Sequence, residues 1–508
     1  MNRKIGVLMS YVAMIFEVLS TLLLTPFILR TLGQAEYGVY KLTAAIVAYL
    51  LLLDLGVGNS VVRFISKFRV KNDKNQCQKF LGIATLFYLA VASITVILGI
   101  VLIWAFPYAF AKGLSNAEVA LGQKLLFITV LNATVTLGTA GFANTLIAYE
   151  YFAFQKGCLI VQTIVKMAFT YFGLFMGYGS LAIVTVQLFT TIVCRLVYVF
   201  FVLYKINLKP IFKEIDGKFI KEVVIYSSFI LLQMVATQIN ACADQVLLGA
   251  FVSSSASIIG VYGVGVQIVT YFQSIGNSMT GVLMPGLVRL VESESNTDRI
   301  FSEMVRIGRL IFMVLGLIWV GFLVLGKQFV ILWAGQDNVD AYLVCAILMT
   351  AHLFILTESI GTQILWAMNQ HKEQAILKIC VVIINIFLTI ILIRWNALIG
   401  ATIGTFISLA VGDVIVMNII FVKKIRINIF KYYRGLFSKI VMCLICTGVV
   451  GVILNCINLV GWIGFVVKGS LITISYVLLM WFYGLNVYEK NLFKTIFARF
   501  GKTRRKNG

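Results

Sequence analysis

Apolar runs of about 20 residues follow one another from the first residues of this chain to the last. A helix of that length crosses the hydrocarbon core of a bilayer, about 30 Å thick, and satisfies its own backbone hydrogen bonds on the way. Hydrophobic residues make up 60% of the 508 residues and charged residues only 12%, which is too little polar surface for a water-soluble domain. The sequence therefore predicts an all-α polytopic membrane protein with about 14 transmembrane helices, the second of them at residues 38–62.

The basic residues are distributed unevenly between the predicted connections. Most of the 42 Lys and Arg residues lie in every second connection, and the remaining connections carry few. Because cytosolic loops carry an excess of Lys and Arg, the basic connections are predicted to be cytosolic, and an even helix count then places both termini in the cytosol. The formal charge of +22 thus follows from the basic cytosolic connections, the basic C-terminal tail is expected to lie beside anionic lipid, and nucleic acid is not expected as a partner.

Two short sequence repeats indicate an internal duplication. "GVY" begins at Gly38 and again at Gly260, while "KIN" begins at Lys205 and "RIN" at Arg426. Both pairs are about 220 residues apart and occupy corresponding places in the helix order, which predicts two pseudo-symmetric six-helix lobes of the same orientation. The predicted domains are an N-lobe at 1–215, a C-lobe at 216–430, two C-terminal helices at 431–490 and a basic cytosolic tail at 491–508.

Ionisable side chains within the predicted spans are the main candidates for function. An ionised group at mid-bilayer costs at least about 2.5 kcal/mol, so it is expected to face protein or water. At about 1.5 Å per residue, six of the seven share a layer roughly 12 to 15 Å from the cytosolic ends of their helices. These six are Glu17, Asp54, Lys166, Arg195, Glu358 and Asp413, and the seventh, Asp244, lies nearer the outer face.

Asp54 raises the question of what neutralises it. Nine positions along a straight helix place Arg63 on the opposite side, so the two do not pair unless Gly56 and Gly58 unwind the helix. The expected partners are therefore Lys166 or Arg195 on neighbouring helices, with Arg63 reaching the cytosolic interface. Two hypotheses remain open: the embedded charges form fixed ion pairs within a lobe, or they line a cavity that binds a diphosphate or carries a coupling proton.

Three stretches carry a resemblance to a known family. They are "RTLGQAEYGVYKL" (Arg30 to Leu42), "LLLLDLGVGNSVVRF" (Leu50 to Phe64) and "DQVLLGAFVSSSASIIGVYGVGVQ" (Asp244 to Gln267). They resemble the polysaccharide-exporting branch of the multidrug, oligosaccharidyl-lipid and polysaccharide (MOP) exporter superfamily, the bacterial O-antigen and capsule flippases. The resemblance implies a MATE-like transporter of the bacterial inner membrane. It would move undecaprenyl-diphosphate-linked oligosaccharide from the inner to the outer leaflet by alternating access.

The resemblance also implies where the substrate binds. In this superfamily the cavity walls come largely from helices one, two, seven and eight, which favours Glu17, Arg30, Asp54 and Asp244 as cavity residues. The basic side chains add candidates for holding the diphosphate. The full predicted substrate-binding set is Glu17, Arg30, Asp54, Arg63, Lys166, Arg195 and Asp244.

Two other function classes are weighed against a flippase. An H+- or Na+-coupled cation or multidrug antiporter of the same fold is favoured by the excess of embedded acids over embedded bases. A membrane glycan polymerase or ligase needs a large outer loop, and the longest outer connection, near Pro107 to Ala120, is short. No catalytic constellation and no His/Cys cluster with ligand spacing is present in the sequence, so a transporter without cofactor or metal is expected, not an enzyme. The expected partners are the lipid-linked glycan and the bilayer, with a coupling H+ or Na+ and the glycan polymerase machinery as further candidates.

Overall fold

The structure is a computed structural model that describes residues 3–212, 217–293, 297–368 and 371–491. Within these ranges all the regular secondary structure is helical. The helices are α1 (Arg3–Leu50), α2 (Val57–Val70), α3 (Lys74–Phe110), α4 (Asn116–Gly138), α5 (Ala140–Ala148), α6 (Phe152–Phe175), α7 (Gly179–Phe200), α8 (Gly217–Phe251), α9 (Ala256–Ser293), α10 (Thr297–Ala334), α11 (Ala341–Ala367), α12 (His371–Leu392), α13 (Ala397–Leu409), α14 (Met417–Lys424), α15 (Ile429–Phe437), α16 (Ile440–Asn455) and α17 (Gly461–Leu479). Short 3₁₀ segments lie at Leu51–Asp54 and Gln336–Asn338, and π-helical segments at Phe201–Lys205, Ala410–Val416 and Met480–Gly484.

The predicted all-α membrane fold is confirmed. Within the described ranges, 11 helical stretches are long and apolar enough to cross a membrane, or 12 if α15 and α16, bent by 44°, form one span. One of these stretches, Val12–Val70, contains the first two predicted spans, and α8 occupies the place of another. The count is consistent with the prediction of about 14.

Helix α1 is two helices joined at a glycine. Gly33 has φ 72° and ψ 177°, a backbone conformation that residues with a Cβ rarely adopt, and it separates the first predicted span from the second. Pro26 lies two turns earlier and supplies no amide hydrogen to the helix. Gly33 therefore divides α1 into two helices, although helical hydrogen bonding resumes directly after it.

The chain packs as two compact units. Unit 1 comprises Met1–Val264 and Lys378–Ser408, and its core at α2, α3 and α5 includes the buried Val61, Phe80 and Tyr88. Unit 2 comprises Gly265–Leu377 and Leu409–Gly508, in which α10 packs against α11, α15, α16 and α17. The predicted lobe boundaries stay a prediction, and the predicted basic tail lies outside the described residues apart from Asn491.

In unit 1, α1 and α9 cross at their two "GVY" glycines. A Cβ on Gly38 would collide with the backbone carbonyl of Ala256, and a Cβ on Gly260 would collide with the carbonyl of Gln34. The two contacts are reciprocal, because Ala256 precedes Gly260 by the same four residues by which Gln34 precedes Gly38. We call this contact the glycine crossing. It explains physically why both copies of the repeat carry glycine at this position.

Candidate functional site

Asp54 lies at a break in the second predicted span. The 3₁₀ segment ends at Asp54, Leu55 and Gly56 have φ of 52° and 73°, and α2 begins at Val57. The span at residues 38–62 is therefore not a straight helix, and the break at Leu55 and Gly56 corresponds to the unwinding that the sequence left open. The break places one Asp54 carboxylate oxygen 3.5 Å from the amide nitrogen of Gly58, in the first turn of α2, where the helix dipole favours a negative charge.

The partner of Asp54 is a tyrosine. The Tyr88 hydroxyl on α3 donates to Asp54 Oδ1 at 2.7 Å, and the Asn144 amide lies against Gly58 beside them. The predicted pairing with Lys166 or Arg195 is wrong, since in the described part of the chain the hydrogen bonds of Asp54 come from Tyr88 and Gly58. Tyr88 is buried, so this bond ties α3 to the break.

Asp244 on α8 is enclosed by hydroxyl groups. Its side chain is 3% exposed and accepts hydrogen bonds from Tyr262, from Thr389 at 3.2 Å and from Thr405 at 2.5 Å. The Asn385 amide in turn donates to Thr405 Oγ1 at 2.8 Å. We call Asp244 and its three hydroxyl donors the hydroxyl cluster. It joins α8 and the start of α9 to α12 and α13 within unit 1.

The donors of the hydroxyl cluster are partners of a predicted site residue that sequence analysis missed. Tyr262 belongs to the second "GVY" motif, and Thr389 and Thr405 lie on helices more than 100 residues further along the chain. Their only signal is the polar spacing on α12 and α13, where Asn385 and Thr389 are one turn apart. That spacing indicates a buried polar face on the helix, but it does not indicate which charged side chain the face contacts.

Glu17 and Lys166 are the two predicted site residues that the structure brings together. They interact electrostatically across α1 and α6; Glu17 is exposed and Lys166 is partly exposed. An apolar cavity of about 700 Å³ lies on the same two helices, lined by Phe16 on α1 and by Tyr171 and other apolar residues of α6. A charged pair thus stands beside an apolar groove.

The other predicted cations lie in separate surroundings. The Arg195 guanidinium lies 5.9 Å from the ring centre of Tyr198, one turn further along α7. Arg63 is exposed and lies over the ring of Phe64, and Arg30 is exposed one turn before Gly33. The described structure therefore does not gather the predicted residues into one cluster, and their role in binding substrate stays a prediction.

In unit 2 the embedded acid Glu358 is also bonded inside the protein. Glu358 is 2% exposed and accepts hydrogen bonds from Tyr433 and, at 3.1 Å, from the Asn418 amide. Asp413 lies buried in the π-helical segment Ala410–Val416, close enough to Glu358 for the two charges to interact. Among the described residues, no group of three or more His, Cys, Asp or Glu side chains is placed to hold a metal ion.

Comparison with known proteins identifies the family. The family model for polysaccharide biosynthesis proteins matches residues 4–291, more than half of the chain. No curated protein matches the sequence.

Three solved structures share the fold at low sequence identity. The lipid II flippase MurJ in an inward closed conformation is 14% identical with a TM-score of 0.71, over 93% of this chain and 97% of MurJ. A mutant of the Vibrio cholerae MATE transporter VcmN is 13% identical with a TM-score of 0.57, over 84% and 97% of the two chains. An inward-facing MATE family transporter of the MOP superfamily is 14% identical with a TM-score of 0.55, over 80% and 96%.

The resemblance read from three short stretches of sequence thus agrees with a family model and with whole-chain similarity in three dimensions. At these identities the solved structures establish the fold, and the family model establishes membership. The chain belongs to the polysaccharide biosynthesis protein family and has the fold of the MOP exporter superfamily.

Proposed function

We propose that this protein is a flippase that moves polyprenyl-diphosphate-linked oligosaccharide from the inner to the outer leaflet by alternating access. The cargo would be a repeat unit of O-antigen, capsule or exopolysaccharide, and the membrane the bacterial inner membrane, with both chain termini in the cytosol. Family membership and the fold shared with a lipid II flippase support this class of transporter.

The observation that carries the proposal is the different accessibility of acids and bases: all four predicted bases are at least partly exposed, whereas three of the five embedded acids are buried and only Glu17 and Asp54 are not. Asp244 and Glu358 are buried and already accept hydrogen bonds from neighbouring side chains, so neither is available to a cationic cargo. Arg30 is exposed, and Lys166 and Arg195 are partly exposed. Accessible positive charge can bind the diphosphate of an anionic lipid.

The apolar groove beside Glu17 and Lys166 supports an amphiphilic cargo. A lipid-linked glycan needs polar groups for its head and an apolar surface along which its polyprenyl chain stays in lipid. Lys166 is flanked in sequence by the groove residues Ile164 and Met167, so charge and apolar surface lie on one helix. The membrane potential would assist export, since moving a negative charge out of a negative cytosol gains about 2.3 kcal/mol per 100 mV.

The test is translocation by the full chain in proteoliposomes. A fluorescent polyprenyl-diphosphate-linked oligosaccharide is reconstituted on one leaflet, and its arrival on the other is measured by an impermeant quencher. Loss of a charge-assisted hydrogen bond to the diphosphate predicts that Arg30→Gln lowers the rate by about tenfold. Lys112→Gln removes another exposed cation and serves as the matched control, with an unchanged rate expected.

The second candidate is an H+- or Na+-coupled cation antiporter, which the exposed Glu17 and the MATE-like fold favour. The same proteoliposomes distinguish the two. Exchange of ethidium against a proton gradient, with no movement of the lipid-linked glycan, would replace the flippase proposal by the antiporter.

A further inference from the structure

A basic cavity in unit 2 lies where two membrane spans end. Its volume is about 590 Å³, within the range of small-ligand sites, and its walls come from α10, α15 and the residues on either side of the α15–α16 bend. The first residue of α16, Ile440, and the last residue of the π-helical segment after α17, Gly484, are both at or next to the cavity. A cavity at the ends of apolar spans lies at the depth of lipid headgroups.

A buried arginine forms one wall of the cavity. Arg309 on α10 is 6% exposed, and its guanidinium donates to Glu489 at 2.7 and 3.2 Å, which cancels its charge. Its remaining donors reach the backbone carbonyls of Gly435 at 2.8 Å, Ser438 at 3.2 Å and Gly484 at 3.2 Å. Arg309 therefore positions the backbone around the cavity and has no donor left for a ligand.

Three other cations line the same cavity and are exposed. Lys431 and Arg434 are three residues apart on α15 and so lie on one helix face, while the opposite face buries Tyr432 and Leu436. Lys439 follows at φ 63°, in the bend before α16. Among the described residues none of these three side chains forms an ion pair, and none of the lining residues in that part of the chain is acidic.

The cavity also has a neutral hydroxyl group, and local contacts hold α15 and Lys439 in position. Asn428 caps α15 by accepting from the Lys431 amide at 3.0 Å, and the Lys439 ammonium lies 5.5 Å from the ring centre of Tyr483. Ser438 lies on the wall between Arg434 and Lys439. An arginine fork, two ammonium groups and a hydroxyl around one cavity match the oxygens of phosphate groups.

We propose that this cavity binds the phosphates of an anionic membrane lipid, with Lys431, Arg434 and Lys439 as its ligands. Three uncompensated cations at headgroup depth suit a lipid headgroup that carries more than one negative charge. The site belongs to unit 2, and the predicted cargo residues belong to unit 1. It would act as a fixed lipid contact at the end of the α15–α16 bend.

The test measures lipid retention by the purified full chain. Wild type and the triple variant Lys431→Gln, Arg434→Gln, Lys439→Gln are placed in phosphatidylcholine nanodiscs with and without cardiolipin, a lipid with two phosphates, and bound lipid is counted by native mass spectrometry. We expect the triple variant to lose affinity for cardiolipin by about tenfold or more. The matched control Lys67→Gln, Lys423→Gln, Arg426→Gln removes the same number of positive charges from exposed residues outside the cavity. It should change the affinity for cardiolipin by less than about twofold.

Two results would overturn the proposal. Equal loss of cardiolipin by the triple variant and its control would mean that the basic surface attracts anionic lipid without a site. Inorganic pyrophosphate is the second probe, added to nanodiscs of phosphatidylcholine alone. If it raises the melting temperature of wild type but not of the triple variant, while cardiolipin retention is the same in both, the cavity binds a soluble phosphate and not a lipid. Because all three substitutions are on exposed side chains, the variants are expected to fold.

Discussion

The two halves of α1 meet their neighbours in different ways. After Gly33, α1 approaches α9 backbone to backbone at the glycine crossing, and the adjoining hydroxyl cluster encloses Asp244 completely. Before Gly33, α1 meets α6 through an exposed Glu17 and a partly exposed Lys166, beside an open apolar groove. One half is interlocked and the other leaves charge and apolar surface accessible.

This difference indicates which charges are structural. A carboxylate with three hydroxyl donors and 3% exposure has its hydrogen-bonding capacity met inside the protein, so it contributes to packing. A charge pair with open sides retains the capacity to bind a ligand. Asp54 lies between these cases, because Tyr88 bonds one oxygen while the side chain remains partly exposed.

The largest expected effect is the loss of the Asp244 carboxylate. Asp244→Ala leaves three buried hydroxyl groups without their acceptor and opens a small cavity, which should lower the free energy of unfolding by about 3 kcal/mol or more. Thermal unfolding in detergent measures the change. Asp244→Asn retains one acceptor oxygen and the side-chain volume and should cost less than half as much. If both variants are as stable as wild type, the hydroxyl cluster does not hold α8, α12 and α13 together.

The glycine crossing should give the next largest effect. Gly38→Ala and Gly260→Ala each place a methyl group against a backbone carbonyl that can move only if α1 and α9 separate, at a cost of about 2 kcal/mol each. Because one separation relieves both clashes, the double variant should cost clearly less than the sum of the two.

The control for the crossing is Gly321→Ala in α10. A Cβ at Gly321 meets no atom within 4 Å, so this substitution adds a methyl group without a clash and should leave stability unchanged or slightly raised. Strict additivity of Gly38→Ala and Gly260→Ala in the same melting experiment would show that the two contacts are independent.

The break next to Asp54 shows what the sequence can and cannot predict. Apolar runs predict the spans because helix length is set by bilayer thickness, and Gly56 and Gly58 were visible as a possible point of unwinding next to Asp54. Residue depth follows from helical rise, but rotation about the helix axis and the choice of neighbouring helix do not. For that reason the sequence predicts a cation at the same depth as the partner of Asp54, whereas Asp54 accepts a hydrogen bond from Tyr88.

The same limit explains the hydroxyl cluster. The resemblance predicts Asp244 as a cavity residue, but its donors Thr389 and Thr405 are more than 100 residues away in sequence. Contacts between helices so distant depend on tertiary packing, which no local pattern records. The reciprocal glycines, by contrast, were visible as a repeat, but their direct contact was not, because a repeat does not reveal which surface its two copies share.

The smallest stability effect and a large functional one are expected at Glu17 and Lys166. Since both side chains are at least partly exposed, a double-mutant cycle of Glu17→Gln and Lys166→Gln should give a coupling energy below about 1 kcal/mol in thermal unfolding. Translocation of the lipid-linked glycan should nevertheless fall in Lys166→Gln, because its charge lies beside the groove and belongs to the proposed site. A coupling energy of about 3 kcal/mol or more, of the size found for buried pairs, would instead make this pair a structural element like the hydroxyl cluster and remove the contrast between the two halves of α1.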